Sequence, residues 1–374
     1  MIDINTFIKC LKKNDLNFVT GVPDSLLKNL CFEFENIYKN DHITAANEGA
    51  AVGIGIGYHL KTGKIPVIYL QNSGLGNMVN PILSLADPKV FNIPLLIIMG
   101  WRGERNKMLI DEPQHMTQGD LTENFLKSMN IRYNIVSKNT DYKAIIKKLT
   151  TYSKNNNKIS CLLVRKNVFK IKKNLQIKKE NKNNLYKREE ILKHIVKNLP
   201  RNLNSISTTG ILSRELYEIL KKEDTINNFM CVGGMGHAIS VAYGLAHNSK
   251  QKVLCFDGDG AITMHLGALT NSVRYNNIIH VVFNNKSHES VGGHDTSSNH
   301  VKFYKIAKSL GYQNSKLAKN KSQALKLIME ALNSNQSYFI EIICKKGHRK
   351  DISRPKEKMI ELKNKFLEKK IQND

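Results

Sequence analysis

The chain has 374 residues, too many for one compact core and suited to two α/β domains. At 41% hydrophobic, with no apolar run near the roughly eighteen residues of a membrane span, it reads as a soluble protein without a transmembrane segment. The net charge of +25 would suit a nucleic-acid partner. The excess gathers in Lys170 to Arg188 and after Lys345, without interleaved aromatics or a binding motif, and this argues against one.

The opening MIDINTFIKCLKK lacks the long apolar core of a signal peptide and reads as an amphipathic helix. Apolar runs at Phe18-Val19, Ile43-Thr44, Ile65 to Leu70, Ile93 to Met99, Ile131 to Val136 and Ile159 to Val164 predict strands. Helices are expected between them, for example Ser25 to Glu35 and Glu48 to Leu60. This alternation predicts a parallel sheet with helices on both faces across 1–169. The glycines of GIGIG at 53 to 57 fall inside a helix and read as close packing rather than a nucleotide loop. Residues 170–187 lose the pattern and read as a basic linker.

A second alternation fills 188–374. Strands are expected at Ser205 to Thr208, Phe229 to Val232, Val253 to Phe256, Ile278 to Phe283 and Tyr338 to Ile343. Helices are expected near 188–199, 212–222, 236–247, 261–275, 300–310 and 321–334. The six cysteines form no CxxC pair and several lie in apolar runs, so they read as free thiols of a reducing cytoplasm.

The most informative stretch begins at Asp257-Gly258-Asp259-Gly260 and ends at Asn284-Asn285. The intervening helix of roughly 22 Å and strand of roughly 20 Å nearly cancel, which returns Asp259 and Asn285 to the same carboxyl edge of a parallel sheet. A carboxylate, an amide oxygen and a nearby backbone carbonyl suit Mg²⁺, which takes its other ligands from water and a diphosphate. Gly258 and Gly260 let the backbone approach that diphosphate, and the helix opening at Ala261 offers N–H groups to it.

GDG followed some two dozen residues later by NN resembles the diphosphate-binding signature of thiamine diphosphate enzymes. The resemblance implies that Asp259, the Asn285 side chain and the Ser287 carbonyl hold Mg²⁺. It implies further that Thr208, Thr209 and Gly210 of STTG contact the diphosphate. Met235 of VGGMGHA would sit under the bent cofactor, with the Gly233 carbonyl on its pyrimidine amino group. Glu48 of AANEGAAV matches the glutamate that activates the cofactor through its pyrimidine ring. Such enzymes build their sites across a subunit interface, so a homo-oligomer, at least a dimer, is implied.

The middle domain of pyruvate decarboxylases is missing. The short order, with GVPDSLL at 21, QNSGLGNMVNP at 71, GWRGER at 100, DEPQH at 111, NNKSHESVGG at 284 and GHRKDISRP at 347, resembles phosphonopyruvate decarboxylases and their sulfopyruvate relatives. It implies non-oxidative decarboxylation of a small 2-oxo acid, phosphonopyruvate in the first instance, in phosphonate biosynthesis. His115 and His288 are candidates to move the proton, because histidine titrates near neutrality. A phosphonate calls for fixed cations and donors, for which Arg102, Arg105 and Ser25 are placed. Two positions depart from the expected pattern: Asp24, where cysteine or a similar residue is expected, and His294-Asp295, where Gln-Pro is expected. A carboligase using the same cofactor is the alternative enzyme reading.

Overall fold

The computed structural model describes residues 1–104, 111–170 and 185–373, and divides the chain into two compact units, 1–178 and 179–374. In the first, six strands form one sheet: β1 (Val19–Gly21), β2 (His42–Thr44), β3 (Val67–Gln71), β4 (Leu96–Gly100), β5 (Arg132–Val136) and β6 (Ser160–Val164). Their order is β2-β1-β3-β4-β6-β5, and every pairing is parallel. The apolar runs are continuous because both faces are covered, as expected of a parallel sheet. The period of two then divides each run between two cores. Leu96 and Ile98 join Phe7, Phe34 and Leu162 on one face, while Ile97 and Met99 join Val52, Met78 and Leu126 on the other.

The second unit repeats the plan with β7 (Leu203–Ser207), β8 (Ile226–Met230), β9 (Val253–Gly258) and β10 (Ile278–Asn284). A two-stranded hairpin of β11 (Ser287–His288) and β12 (His294–Asp295) follows, then β13 (Asn314–Ala318) and β14 (Tyr338–Ile343). The main sheet runs β13-β14-β10-β9-β7-β8, again parallel throughout. The α/β architecture is the expected one, two parallel sheets with helices on both faces and no middle domain.

Three local expectations are corrected. The helix expected over 261–275 is broken: Asp259–Met264 is helical, His265 leaves the helical region at φ −135°, ψ 52°, and a separate turn runs Leu269–Ser272. At the break the His265 ring packs on Gly236, where a Cβ would lie 2.7 Å from it. The first long helix starts at Lys28, not Ser25, since the Asp24 carboxylate accepts from the N–H groups of Leu26 and Leu27, both at 3.2 Å, and holds a turn there. In GIGIG only Gly55 packs closely, with Pro66 and Ile68 carbons 3.3 Å from where its Cβ would be, while a Cβ on Gly53 or Gly57 would meet nothing within 4 Å among the described residues. All six cysteines are free; five are buried and Cys10 is partly exposed. Among the described residues no helix is long and apolar enough to cross a membrane.

Candidate functional site

The residues expected to carry the chemistry fall at the carboxyl edge of the sheet in each unit. In the first unit, Glu48 opens the helix Glu48–Thr62 after Asn47, whose side chain caps the first turn by accepting from Ala50 N at 2.8 Å. Glu48 is only 6% exposed. Its Oε2 accepts from Asn77 Nδ2 at 2.7 Å, and burial pushes its carboxyl above the usual range, with Asn77 offsetting part of the rise. Gly74 makes room for it: a Cβ there would come within 2.1 Å of Glu48 Oε1. Such a carboxyl keeps a proton more readily than one in water and can donate it in a hydrogen bond.

Arg102 follows β4 at the same edge. Asn72 fixes its backbone from both sides, accepting from Arg102 N at 3.0 Å and donating to Arg102 O at 2.8 Å. The guanidinium forks onto Asp111 through Nε, at 2.7 Å, and Nη2, while Nη1 donates to Ser25 Oγ at 2.9 Å. Three of its five N–H groups are thereby used in the described contacts. Burial alone would raise the Asp111 carboxyl, but the Arg102 hydrogen bonds, the Gly103 N–H and the guanidinium charge outweigh it and hold it down at about 2. Asp24 lies beneath Ser25 with no exposure, and burial pushes it up to about 7. His115 is half-buried, with Nδ1 unpartnered among the described residues. Burial first, and then the Arg102 charge, lower it to about 4. Arg105 lies outside the described residues.

In the second unit β9 and β10 are neighbours, and this brings the two acidic and amide motifs together. Asp257 is braced rather than exposed: its carboxylate accepts from Gly258 N at 2.8 Å and meets His280 Nε2 at 3.3 Å. Asp259 starts the next helix and is 2% exposed. Thr296 Oγ1, at 2.7 Å, and Ser298 Oγ, at 3.1 Å, both donate to its Oδ2, and the Asn285 main-chain N–H also faces it. Burial nevertheless raises its carboxyl to about 6. A buried carboxylate in that condition is relieved by a cation. Asn285 Oδ1 accepts from Ser287 N at 3.2 Å, and Ser287 Oγ is buried with no described partner. The all-oxygen donor set of Asp259, Asn285 and Ser287 fits a small hard cation such as Mg²⁺.

The remaining expected contacts gather on neighbouring strand ends. Thr208 Oγ1 is buried and unpartnered among the described residues, Thr209 Oγ1 donates to Val232 O at 3.0 Å, and Gly210 (φ 100°) leads into the helix Ile211–Glu223. An orphaned hydroxyl beside a positive-φ glycine at a helix start suits a phosphate. Gly233 and Met235 lie in the turn that carries Gly234 (φ 62°) and Gly236 (φ 92°), and Met235 is half-buried. Gly258, Gly260 and Ala261 form the strand-to-helix turn. His288 packs onto Gly260, where a Cβ would meet its ring at 2.7 Å. Burial, then His294, lower His288 to about 4 against the opposing pull of Asp295. Both candidate histidines are therefore neutral at pH 7, contrary to the expectation of titration near neutrality. Of the unexpected pair, Asp295 forms an ion pair with Lys346 at 2.6 Å.

Sequence reasoning missed Asn77, Asp111, Thr296 and Ser298 as members of these sites, and also Glu289, whose Oε1 accepts from Asn285 Nδ2 at 3.2 Å. Asp111 stood in the DEPQH block that carried the resemblance, and Glu289 follows the NN motif. Nothing local marked Asn77, Thr296 or Ser298.

Comparison with known proteins points the same way. Residues 4–127 match the thiamine pyrophosphate enzyme N-terminal TPP binding domain, and residues 206–342 match the C-terminal TPP binding domain. A phosphonopyruvate decarboxylase of Streptomyces viridochromogenes is 28% identical, covering 93% of this chain and 90% of its own. A sulfopyruvate decarboxylase of Methanosarcina acetivorans is 24% identical over 91% of each. A sulfopyruvate decarboxylase subunit alpha of Methanococcus maripaludis is 32% identical over 33% of this chain and 71% of its own.

Proposed function

Because the chain belongs to the thiamine diphosphate-dependent decarboxylases, in the group of the phosphonopyruvate and sulfopyruvate enzymes, we propose that it decarboxylates 3-phosphonopyruvate. The products are phosphonoacetaldehyde and CO₂, with thiamine diphosphate and Mg²⁺ as cofactors, in phosphonate biosynthesis. Thiamine diphosphate, when bound, supplies the electron sink that a 2-oxo acid needs to lose CO₂. Asp259, Asn285 and Ser287 would hold Mg²⁺. Thr208, Thr209, Gly210, Gly258, Gly260 and Ala261 would hold the diphosphate, with Gly233 and Met235 along the cofactor. Glu48, kept protonated more readily by its burial, would hydrogen-bond the pyrimidine end. The observation that supports the cofactor reading is the burial of the Asp259 carboxylate beside Asn285, whose main-chain N–H faces it.

His115 and His288 are neutral imidazoles at pH 7 and can accept or pass a proton at the reacting carbon. The substrate's phosphonate would meet Ser25 Oγ and the remaining N–H groups of Arg102, with Arg105 as a further candidate. One observation favours sulfopyruvate as the second reading: Asp111 cancels the Arg102 charge and so reduces the reward for the phosphonate's second negative charge. Steady-state rates with phosphonopyruvate, sulfopyruvate and pyruvate test the choice. The phosphonate should give the highest kcat/KM, and a higher value for either competitor contradicts it. The same proposal includes a cytoplasmic homo-oligomer, at least a dimer. Five of six cysteines buried as free thiols support a reducing compartment.

A further inference from the structure

The two ends of an asparagine side-chain amide have nearly the same shape, yet only the carbonyl oxygen can bind a cation. An asparagine ligand therefore needs a partner that tells oxygen from nitrogen. Asn285 has one. Its Nδ2 donates to Glu289 Oε1 at 3.2 Å. Turning the amide over would press Oδ1 against that carboxylate oxygen, acceptor against acceptor. Glu289 is itself held from the far side: Gly347 N donates to the same Oε1 at 2.7 Å, and His348 Nδ1 lies 3.1 Å from Oε2. Its side chain is 9% exposed.

The positions of these partners make the arrangement a clamp. Gly347 has φ 101°, a left-handed turn three residues beyond Cys344, which continues β14 with Cys344 N bonded to Asn284 O at 3.1 Å. The turn is thus registered against the strand that ends at Asn284, one residue before Asn285, and it brings its N–H to Glu289 across 58 residues of sequence. On the other side of the amide, Oδ1 accepts from Ser287 N at 3.2 Å, which uses one lone pair and leaves the second.

We propose that Glu289 is a positioning residue that fixes the Asn285 amide with its oxygen presented for the divalent cation, and that the 347–348 turn holds Glu289 in place. The inference rests on the reading of Asn285 as a cation ligand. It gives the turn after β14 a part in cation affinity although it contributes no ligand.

The test is calorimetric titration of Mg²⁺ into the full-length protein with thiamine diphosphate present, a readout independent of turnover. Loss of an ionised acceptor is a loss of about tenfold to a hundredfold, so Glu289→Ala should weaken Mg²⁺ binding by about that factor. Glu289→Gln, a gentler change that preserves shape, should weaken it by a smaller factor in the same direction. In an Asn285→Asp background there is no amide to orient, so there Glu289→Gln should change Mg²⁺ affinity by a clearly smaller factor than it does beside Asn285, whereas general damage to the loop would carry over undiminished. Mg²⁺ affinity within twofold of the parent for both Glu289 variants overturns the inference, as does an equal loss in the Asn285→Asp background. Unchanged affinity in Asn285→Ala overturns the ligand reading beneath it as well.

Discussion

Replacing Asp24 by asparagine removes a charge that the folded chain holds at a disadvantage. Asp24 has no exposure, and burial pushes its carboxyl up to about 7 from 3.8, even though the Leu26 and Leu27 N–H groups and the Arg102 charge pull the other way. A shift of about three units, at about 1.36 kcal/mol each, makes the ionised form about 4 kcal/mol less favourable in the fold. The folded value lies above the unfolded one, so the native state binds more protons between them. Wild-type stability should therefore fall as pH rises from about 4 to about 7 and level off beyond. The Asp24→Asn variant does not titrate there, but it has one oxygen for the two N–H groups and starts about 1–3 kcal/mol less stable in acid. Its deficit should shrink by about 1.4 kcal/mol per pH unit and vanish or reverse near neutrality. Urea denaturation followed by fluorescence reads this directly, because the single tryptophan, Trp101, is buried in the same unit. Parallel stability curves for the two proteins across that range would refute the assignment of the shift to Asp24.

Glu48→Gln should retain thiamine diphosphate but lose exchange of the thiazolium proton and most turnover; near-normal exchange into deuterium oxide, read by NMR, contradicts the role of Glu48. Gly74→Ala places a Cβ within 2.1 Å of Glu48 Oε1, so it should depress the same exchange through displacement of the carboxyl, with cofactor affinity changed far less. Arg102→Lys keeps a charge but loses the fork that binds Asp111 and Ser25. With charge-assisted contacts worth about 1.5–3 kcal/mol, kcat/KM for phosphonopyruvate should fall roughly tenfold to a hundredfold, with little change for pyruvate. Equal losses for both substrates would assign Arg102 to the scaffold.

The strands at the centre of each sheet were legible because burial on both faces leaves an uninterrupted apolar run, as in Leu96 to Met99 and Ile278 to Phe283. β13 was not. As an edge strand it pairs on one side only, and Asn314, Ser315 and Lys316 carry no apolar run. The break in the helix expected through His265 left no local mark, since the ring's close neighbour there, Gly236, is about thirty residues away in sequence. At the site, Asp259 and Asn285 announced themselves because glycines and a doubled asparagine mark a strand end. Their partners did not, since Thr296 and Ser298 reach Asp259 from 37 and 39 residues away and Glu289 is held from 58 away. Neutral His115 and His288 were equally hidden, because burial, not residue type, sets their proton affinity.

The proposed activity is decarboxylation of phosphonopyruvate with thiamine diphosphate held through a divalent cation. Protein stripped of cofactor and metal, then assayed for CO₂ and aldehyde from phosphonopyruvate with each added back singly and together, tests it most directly. Equimolar CO₂ and phosphonoacetaldehyde should form only when thiamine diphosphate and Mg²⁺ are both restored. Release of CO₂ without thiamine diphosphate, or none with both present, would contradict it.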